Sequence, residues 1–289
     1  MIEVLKAPPF ATVQDMGWAT GRAMGLPQCG AMDPWLLGRA NTLVGNLPGA
    51  AGIEWALGPG VLRAGFACEL TVLGAWGVLL DDEPADMAHP VWSLEPGARV
   101  TITPSPDQRF LYVAVRGGID VPTIMGSRST YLPGGFGGFE GRRLKTGDLL
   151  PVGPAMHIRL GGQVHPRAAP DAGAEEMPIR VTRGPQWDRF DETGRRTLLE
   201  SRFRISASSD RMGYRLEGPA IVPTQSATLP SEAACPGAIQ IPDGGAPIVL
   251  MPDGPTVGGY PKIAVVVRAD LRCLAQYLPG REVRFREAG

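Results

Sequence analysis

Apolar residues in this chain gather mainly in short runs where polar and apolar positions alternate or the apolar stretch is continuous. ELTVLG at 69–74, RVTIT at 99–103, RFLYVAV at 109–115, MHIRL at 156–160, RFRIS at 202–206, APIVL at 246–250 and KIAVVV at 262–267 have the length and side-chain content of strands. The alternating runs suit half-buried strands, and the continuous ones suit strands covered on both faces. Helical spacing is confined to three places. In GAMDPWLLGRANTLVGN, Asp33 can cap the helix and Pro34 can enter its first turn. Leu36, Leu37, Ala40, Leu43 and Val44 then form an apolar stripe, and Gly45 and Asn46 suit its end. DRFDETGRRTLLES predicts a second helix starting at 188–191, against the low helix propensity of Gly194. ADLRCLAQYLPG predicts a third from Asp270, ending before Pro279. Many strands with few helices imply a mainly β protein of β-rich domains or barrels, and they exclude the strand and long-helix alternation of a doubly wound sheet.

At 289 residues the chain can form two cores of ordinary domain size. HPRAAPDAGAEEMP at 165–178 breaks the apolar pattern and divides the sequence into residues 1–170 and 171–289. PGARVTI at 96–102 echoes PGREVRF at 279–285. Either a duplicated unit or convergence on one turn chemistry would produce that match.

Composition narrows the field. The 39 glycines and 29 prolines are dispersed between apolar runs, which favours many tight turns over disorder. A net charge of -1, with 13 basic and 17 acidic residues up to residue 177 and 15 and 12 beyond, offers no extended nucleic-acid surface. The four cysteines include no C-x-x-C and the three histidines form no close pair, so no metal site is expected. MIEVLKAPPF is not a secretory apolar segment and no later run is long enough to cross a membrane. The expectation is a cytoplasmic protein with neither membrane nor nucleic acid as partner.

Chemistry-bearing side chains collect in glycine-rich segments. Asp33 is a helix cap or a substrate contact. Arg128 in MGSRST presents a planar fork suited to a carboxylate or phosphate, or to a salt bridge across its own turn. In SSDRMGYRLEG, Arg211 could oppose negative charge and Tyr214 could meet a neutral oxygen, or Arg211 could neutralise Asp210. Glu232 could serve as a base, and Gln240 could orient a polar substrate through its amide. Cys235 has no adjacent histidine and is expected to be an inert core cysteine. In PDGPTVGGYPK, Asp253 and Thr256 could bind substrate, and the glycine pair could present Tyr260 and Lys262, unless Lys262 lies at the solvent edge of its strand.

The order of these segments is more specific than any one of them. TVQDMGWATGR, GLPQCGAMDP, ANTLVGN, VRGGIDVP, MGSRST, GGFGGFEGR, SDRMGYRLEG, PGAIQIP and PTVGGYPKIAVV run from residue 12 to residue 285. The series resembles the C subunits of bacterial ATP-dependent 5-oxoprolinases, within the wider allophanate hydrolase subunit 2 and biotin-dependent carboxyltransferase-like family. The resemblance implies tandem cyclophilin-like β-barrel domains with a few short helices. It implies direct association with a B subunit, participation of an A subunit, and ATP-driven conversion of 5-oxo-L-proline to L-glutamate, with ATP and Mg²⁺ supplied to the assembled complex. It nominates Arg128, Arg211, Tyr214, Glu232 and Lys262 as catalytic residues and Asp33, Gln240, Asp253, Thr256 and Tyr260 as substrate-binding residues, drawn into a cleft from both domains. Two alternatives come with the family: a carboxyltransferase using a biotinylated partner, and a regulatory binding subunit of a kinase-inhibitor pair. The only lysines are Lys6, Lys145 and Lys262, and none lies in an AMKM-like attachment motif, so no covalent biotin is expected in this chain. Trp76, and Gly254 with Pro255, stand where relatives often carry more polar residues.

Overall fold

A computed structural model describes residues 1–155, 177–225 and 228–289. The predicted strand MHIRL and nearly all of the predicted boundary segment lie outside the described residues. Two compact units emerge, one of Met1–Trp18 with Cys29–Ala172 and one of Ala19–Gln28 with Gly173–Gly289. The described structure is mainly β with three short α-helices.

The first unit contains a six-stranded and a five-stranded sheet. Ile2, Val4, Leu62, Val100 and Ile102 of the former share one apolar cluster with Val13, Ile53, Leu70, Val72, Leu111 and Val113 of the latter, so the sheets pack face to face on a common core. Strand Leu111–Val115 is buried throughout, as its continuous apolar run predicts. Leu111, Val113 and Val115 enter the shared core. The opposite face meets helix α1 (Pro34–Leu43), which packs against this strand and against Cys68–Leu73. Asp33 caps α1, its Oδ1 accepting from Leu36 N at 3.0 Å, and Pro34 occupies the first turn.

In the second unit one sheet of eight strands runs in the order Glu282–Val283, Phe203–Ile205, Gly213–Glu217, Ile248–Leu250, Ala238–Gln240, Lys262–Val266, Ile179–Arg183 and Phe285–Glu287. Its two edge strands are consecutive in the chain and separated by Arg284 alone, so the sheet is a nearly closed barrel. Helix α2 (Glu192–Glu200) starts after Asp191, whose Oδ1 accepts from Gly194 N at 2.8 Å. Helix α3 (Arg268–Ala275) begins two residues before the predicted start. Asp270 is therefore inside its first turn, and the carboxylate holds Arg180 of the neighbouring strand through Oδ1 at 2.7 Å and Oδ2 at 2.9 Å.

The seven-residue echo is a shared turn. Gly97 and Gly280 have φ of +96° and +87°. Each donates its N–H at 2.7 Å, Gly97 to Ala64 O and Gly280 to Ile205 O. Ala64 N and Ile205 N donate in return at 2.9 Å to Ala98 O and Arg281 O. Gly147, outside the echo, makes the same exchange with Val4. A left-handed glycine pairing with a strand thus accounts for the match through turn chemistry.

Candidate active site

Lys262 opens strand Lys262–Val266, which is flanked by Ala238–Gln240 on one side and Ile179–Arg183 on the other. The expected alternative of a solvent edge is therefore corrected: an interior strand carries the lysine, and its side chain is only 4% exposed. Gln240 is registered opposite Lys262 across a β-bulge, the register shifting between Ile239 and Gln240. A two-stranded ribbon, Glu232–Ala233 with Val257–Gly258, lies against these side chains. Glu232 Oε1 accepts from Lys262 Nζ. Opposite Glu232 in the ribbon, Gly258 approaches Gln240 so closely that a Cβ there would lie 2.6 Å from Nε2. That Nε2 is buried and has no hydrogen-bond partner among the described residues.

Sequence reasoning missed the side chain that ties this cluster together. Gln186 Nε2 donates to Glu232 Oε1 at 2.7 Å, and Gln186 Oε1 accepts from the Lys262 backbone N–H at 3.0 Å. Its approach depends on Gly184, where a Cβ would lie 2.1 Å from Lys262 O. The available signal was Gly-Pro-Gln immediately after the alternating stretch IRVTR: a turn in which glycine permits contact and glutamine offers both a donor and an acceptor.

The Lys262 ammonium, by hydrogen bond and by charge, holds the Glu232 carboxyl below its ordinary range against partial desolvation, with smaller contributions from Gln186 and the Arg189 charge. Glu232 is 41% exposed, so the pair has a buried cationic end and an open anionic end. A fixed ammonium beside a solvent-facing carboxylate can oppose charge developing on a carbonyl oxygen while the carboxylate orients water or an N–H group.

Arg211 and Asp253 form a different pair in the same unit. Arg211 Nε and Nη2 donate to Asp253 Oδ2 and Oδ1, both at 2.8 Å, with the side chains 6% and 2% exposed. The expected neutralisation of Asp210 by Arg211 is corrected. Asp210 Oδ1 instead accepts from Met212 N at 2.8 Å and Gly213 N at 3.2 Å, the local turn bonding to which a short carboxylate is suited. Tyr214 is fully buried and donates its hydroxyl to Ala275 O at 2.6 Å. Thr256 supplies its carbonyl to Ala234 N at 2.9 Å. Tyr260 is exposed. Cys235 is exposed too, against the expectation of a core cysteine, because it sits at a turn after the ribbon.

Asp33 and Arg128 belong to the first unit. Asp33 N donates to Tyr112 Oη at 2.8 Å, and Tyr112 in turn donates to Glu54, which also accepts from Met32 N. Burial, with the neighbouring Glu54 and Asp33 charges, raises the Tyr112 phenol well above its ordinary range. Arg128 donates to Val121 O and Asp120 Oδ1, both at 2.8 Å, the salt bridge across a turn that its sequence allowed. Behind it Asp15 accepts from Ser127 Oγ, Ser129 Oγ, Arg128 N and Gly17 N. The GGFGG loop docks on this segment: a Cβ on Gly137 would lie 2.1 Å from Ser129 O, and one on Gly138 would lie 1.8 Å from Thr130 Oγ1. Gly137 and Gly138 therefore serve packing. Trp76 is 70% exposed on strand Ala75–Leu80. Gly254 cannot be replaced without strain, since a Cβ there would lie 2.7 Å from Met212 O.

A mainly β chain with a charged cluster between one nearly closed sheet and a short ribbon places the protein in a definite class. It belongs to the carboxyltransferase family whose domain comprises subdomains A and B, matched over residues 24–287. Within that family it is 37% identical to the 5-oxoprolinase C subunit of Escherichia coli (strain K12), over 99% of this chain and 90% of that protein. It is 33% identical to the corresponding 5-oxoprolinase C subunit of Haemophilus influenzae, with the same coverage. The crystal structure of the K. lactis urea amidolyase superimposes with a TM-score of 0.89 at 28% identity, covering all of this chain and 19% of that one. Among the described residues no helix is long and apolar enough to cross a membrane.

Proposed function

We propose that the chain is the C subunit of a cytoplasmic ATP-dependent 5-oxoprolinase. It acts with an A and a B subunit, the latter its direct partner, to convert 5-oxo-L-proline to L-glutamate. The observation that carries this reading is the 37% identity with a 5-oxoprolinase C subunit across 90% of that protein. By contrast, the yeast urea amidolyase is 30% identical and is spanned over 16% of its length. The near-closed sheet supports extending the family's cyclophilin-like barrel architecture to this chain.

The Lys262–Glu232 pair would meet the lactam. Its ammonium would stabilise charge on the amide oxygen as the ring opens, and the open Glu232 oxygen would hold the ring N–H or the attacking water. Gln240 Nε2 is a further buried donor beneath the same ribbon. Arg128, Arg211 and Lys262, the three cations nominated as catalytic, are each engaged by a carboxylate, and no group of three acidic, histidine or cysteine side chains suited to a metal occurs among the described residues. These residues do not fit a cradle for ATP and Mg²⁺, so the proposal assigns nucleotide binding to the assembled complex and no nucleotide step to this chain.

Glutamate formation by the purified A–B–C complex with Mg²⁺ tests the assignment. Turnover requiring ATP, 5-oxoproline and this chain is expected. A folded three-subunit complex that leaves 5-oxoproline unchanged would overturn it. The superposition on urea amidolyase supports a second reading, carboxyl transfer with a biotinylated partner. Labelled carboxyl appearing on an acceptor only in the presence of that partner would favour it.

A further inference from the structure

We infer that Gln186 is a positioning residue of the Lys262–Glu232 site, one that decides which carboxylate oxygen the ammonium shares and leaves the other to the substrate. The inference rests on the proposed reading of that pair as the reacting site. A glutamine amide has one accepting and one donating end. Because Gln186 Oε1 is held by the Lys262 N–H at 3.0 Å, its Nε2 must face Glu232, where it donates to Oε1 at 2.7 Å. Oε1 thus receives two donors, Gln186 Nε2 and Lys262 Nζ, and Oε2 receives none from the described residues. With one oxygen held from two directions, the carboxylate loses the freedom to rotate and chelate the ammonium through both oxygens.

Gln186 is itself fixed by the same strand. Its N–H donates to Lys262 O at 3.3 Å and Gly184 N donates to Ile263 O at 2.9 Å. Backbone and side chain together make Gln186 a clamp that transmits the position of Lys262 to Glu232. The charged groups acting on Glu232 are Lys262, from its strand, and Arg189, from the turn Trp187–Arg189. Both remain when Gln186 is changed.

The chain has three lysines, so selective labelling of the lysine ε-carbon gives three resonances, and Lys262→Arg assigns the one beside Glu232. Its shift across an acid titration reports protonation of Glu232. The test compares Gln186→Met, which removes both ends of the amide, with Gln186→Glu, which keeps an acceptor and adds a second carboxylate. In the A–B–C complex, Gln186→Met is expected to lower kcat by roughly 10- to 100-fold with KM changed less than about threefold. The Glu232 midpoint should rise in Gln186→Met and rise further in Gln186→Glu, since the first loses a donor to the carboxylate and the second adds a like charge. Wild-type kcat and midpoint in a folded Gln186→Met complex would overturn the inference. So would a loss of activity that only follows the folded fraction while the midpoint stays in place. Lys262→Met separates the two claims: full turnover in that variant sinks the proposed site itself, whereas lost turnover there with a silent Gln186→Met sinks only the positioning role.

Discussion

Arg211 and Lys262 are both buried cations of the second unit, each set against a carboxylate, but the two pairs end differently. Asp253 is as buried as Arg211, and the pair is bidentate and closed to solvent. Glu232 is 41% exposed and shares one oxygen between Lys262 and Gln186. A closed pair has its donors matched inside the protein and binds two loops together, while a half-open pair retains an acceptor that a ligand can reach. Two motifs that look equally catalytic in sequence therefore separate by the exposure of the anion.

The largest effect should come from opening the closed pair. Arg211→Ala leaves the Asp253 carboxylate buried without its partner, and the expected loss is about 3–5 kcal/mol of unfolding free energy. Denaturant unfolding of the chain measures it. This departs from the catalytic role that the family resemblance implies for Arg211. An Arg211→Ala complex with wild-type stability and lost turnover would restore the substrate-facing role and erase the distinction between the pairs.

Lys262→Ala should give the complementary result. Turnover of the A–B–C complex is expected to fall by roughly 100-fold or more, the scale of losing a charge opposed to a developing oxyanion. Stability should fall by only about 1–2 kcal/mol, because Glu232 can turn to water. A stability loss matching that of Arg211→Ala would mean that Lys262 is structural as well.

Arg180–Asp270 is an intermediate case, with side chains 43% and 14% exposed, and should show the smallest effect. The hydrogen bond from Arg180 holds the Asp270 carboxyl below its ordinary range. Since the folded value is depressed, the pair's contribution is complete above the unfolded value near pH 4 and is lost as the pH falls through the folded one. Asp270→Asn is expected to cost about 1 kcal/mol at neutral pH, discounted for the exposure of Arg180, and to weaken the acid dependence below about pH 4. Thermal unfolding of both forms across that range checks the sign. An Asn variant whose stability still falls as steeply with acid would assign the effect to other carboxylates.

Legibility followed the distance over which each feature is decided. The Asp33 cap with Pro34, the start of α2 and the continuously apolar central strands at 111–115 and 262–266 were all readable, because capping and burial periodicity depend on residues within a few positions of one another. The α3 boundary slipped by two residues because Asp270 serves Arg180 of a distant strand instead of capping its own helix. The partners of Gln186 were hidden for a related reason. Nothing in Gly-Pro-Gln reveals that Lys262 will be its neighbour.

By itself, then, the sequence determined the β-rich class, the turns that require glycine, the starts of α1 and α2 and, through the ordered motifs, the family. Tertiary structure alone decided which carboxylate each cation would meet. Arg211 passes over adjacent Asp210 for Asp253, 42 residues away, and Lys262 finds Glu232 at a separation of 30. Side-chain partners of buried charges depend on which strands become neighbours and which faces they share, and those are properties of the assembled sheet, absent from any local stretch of chain.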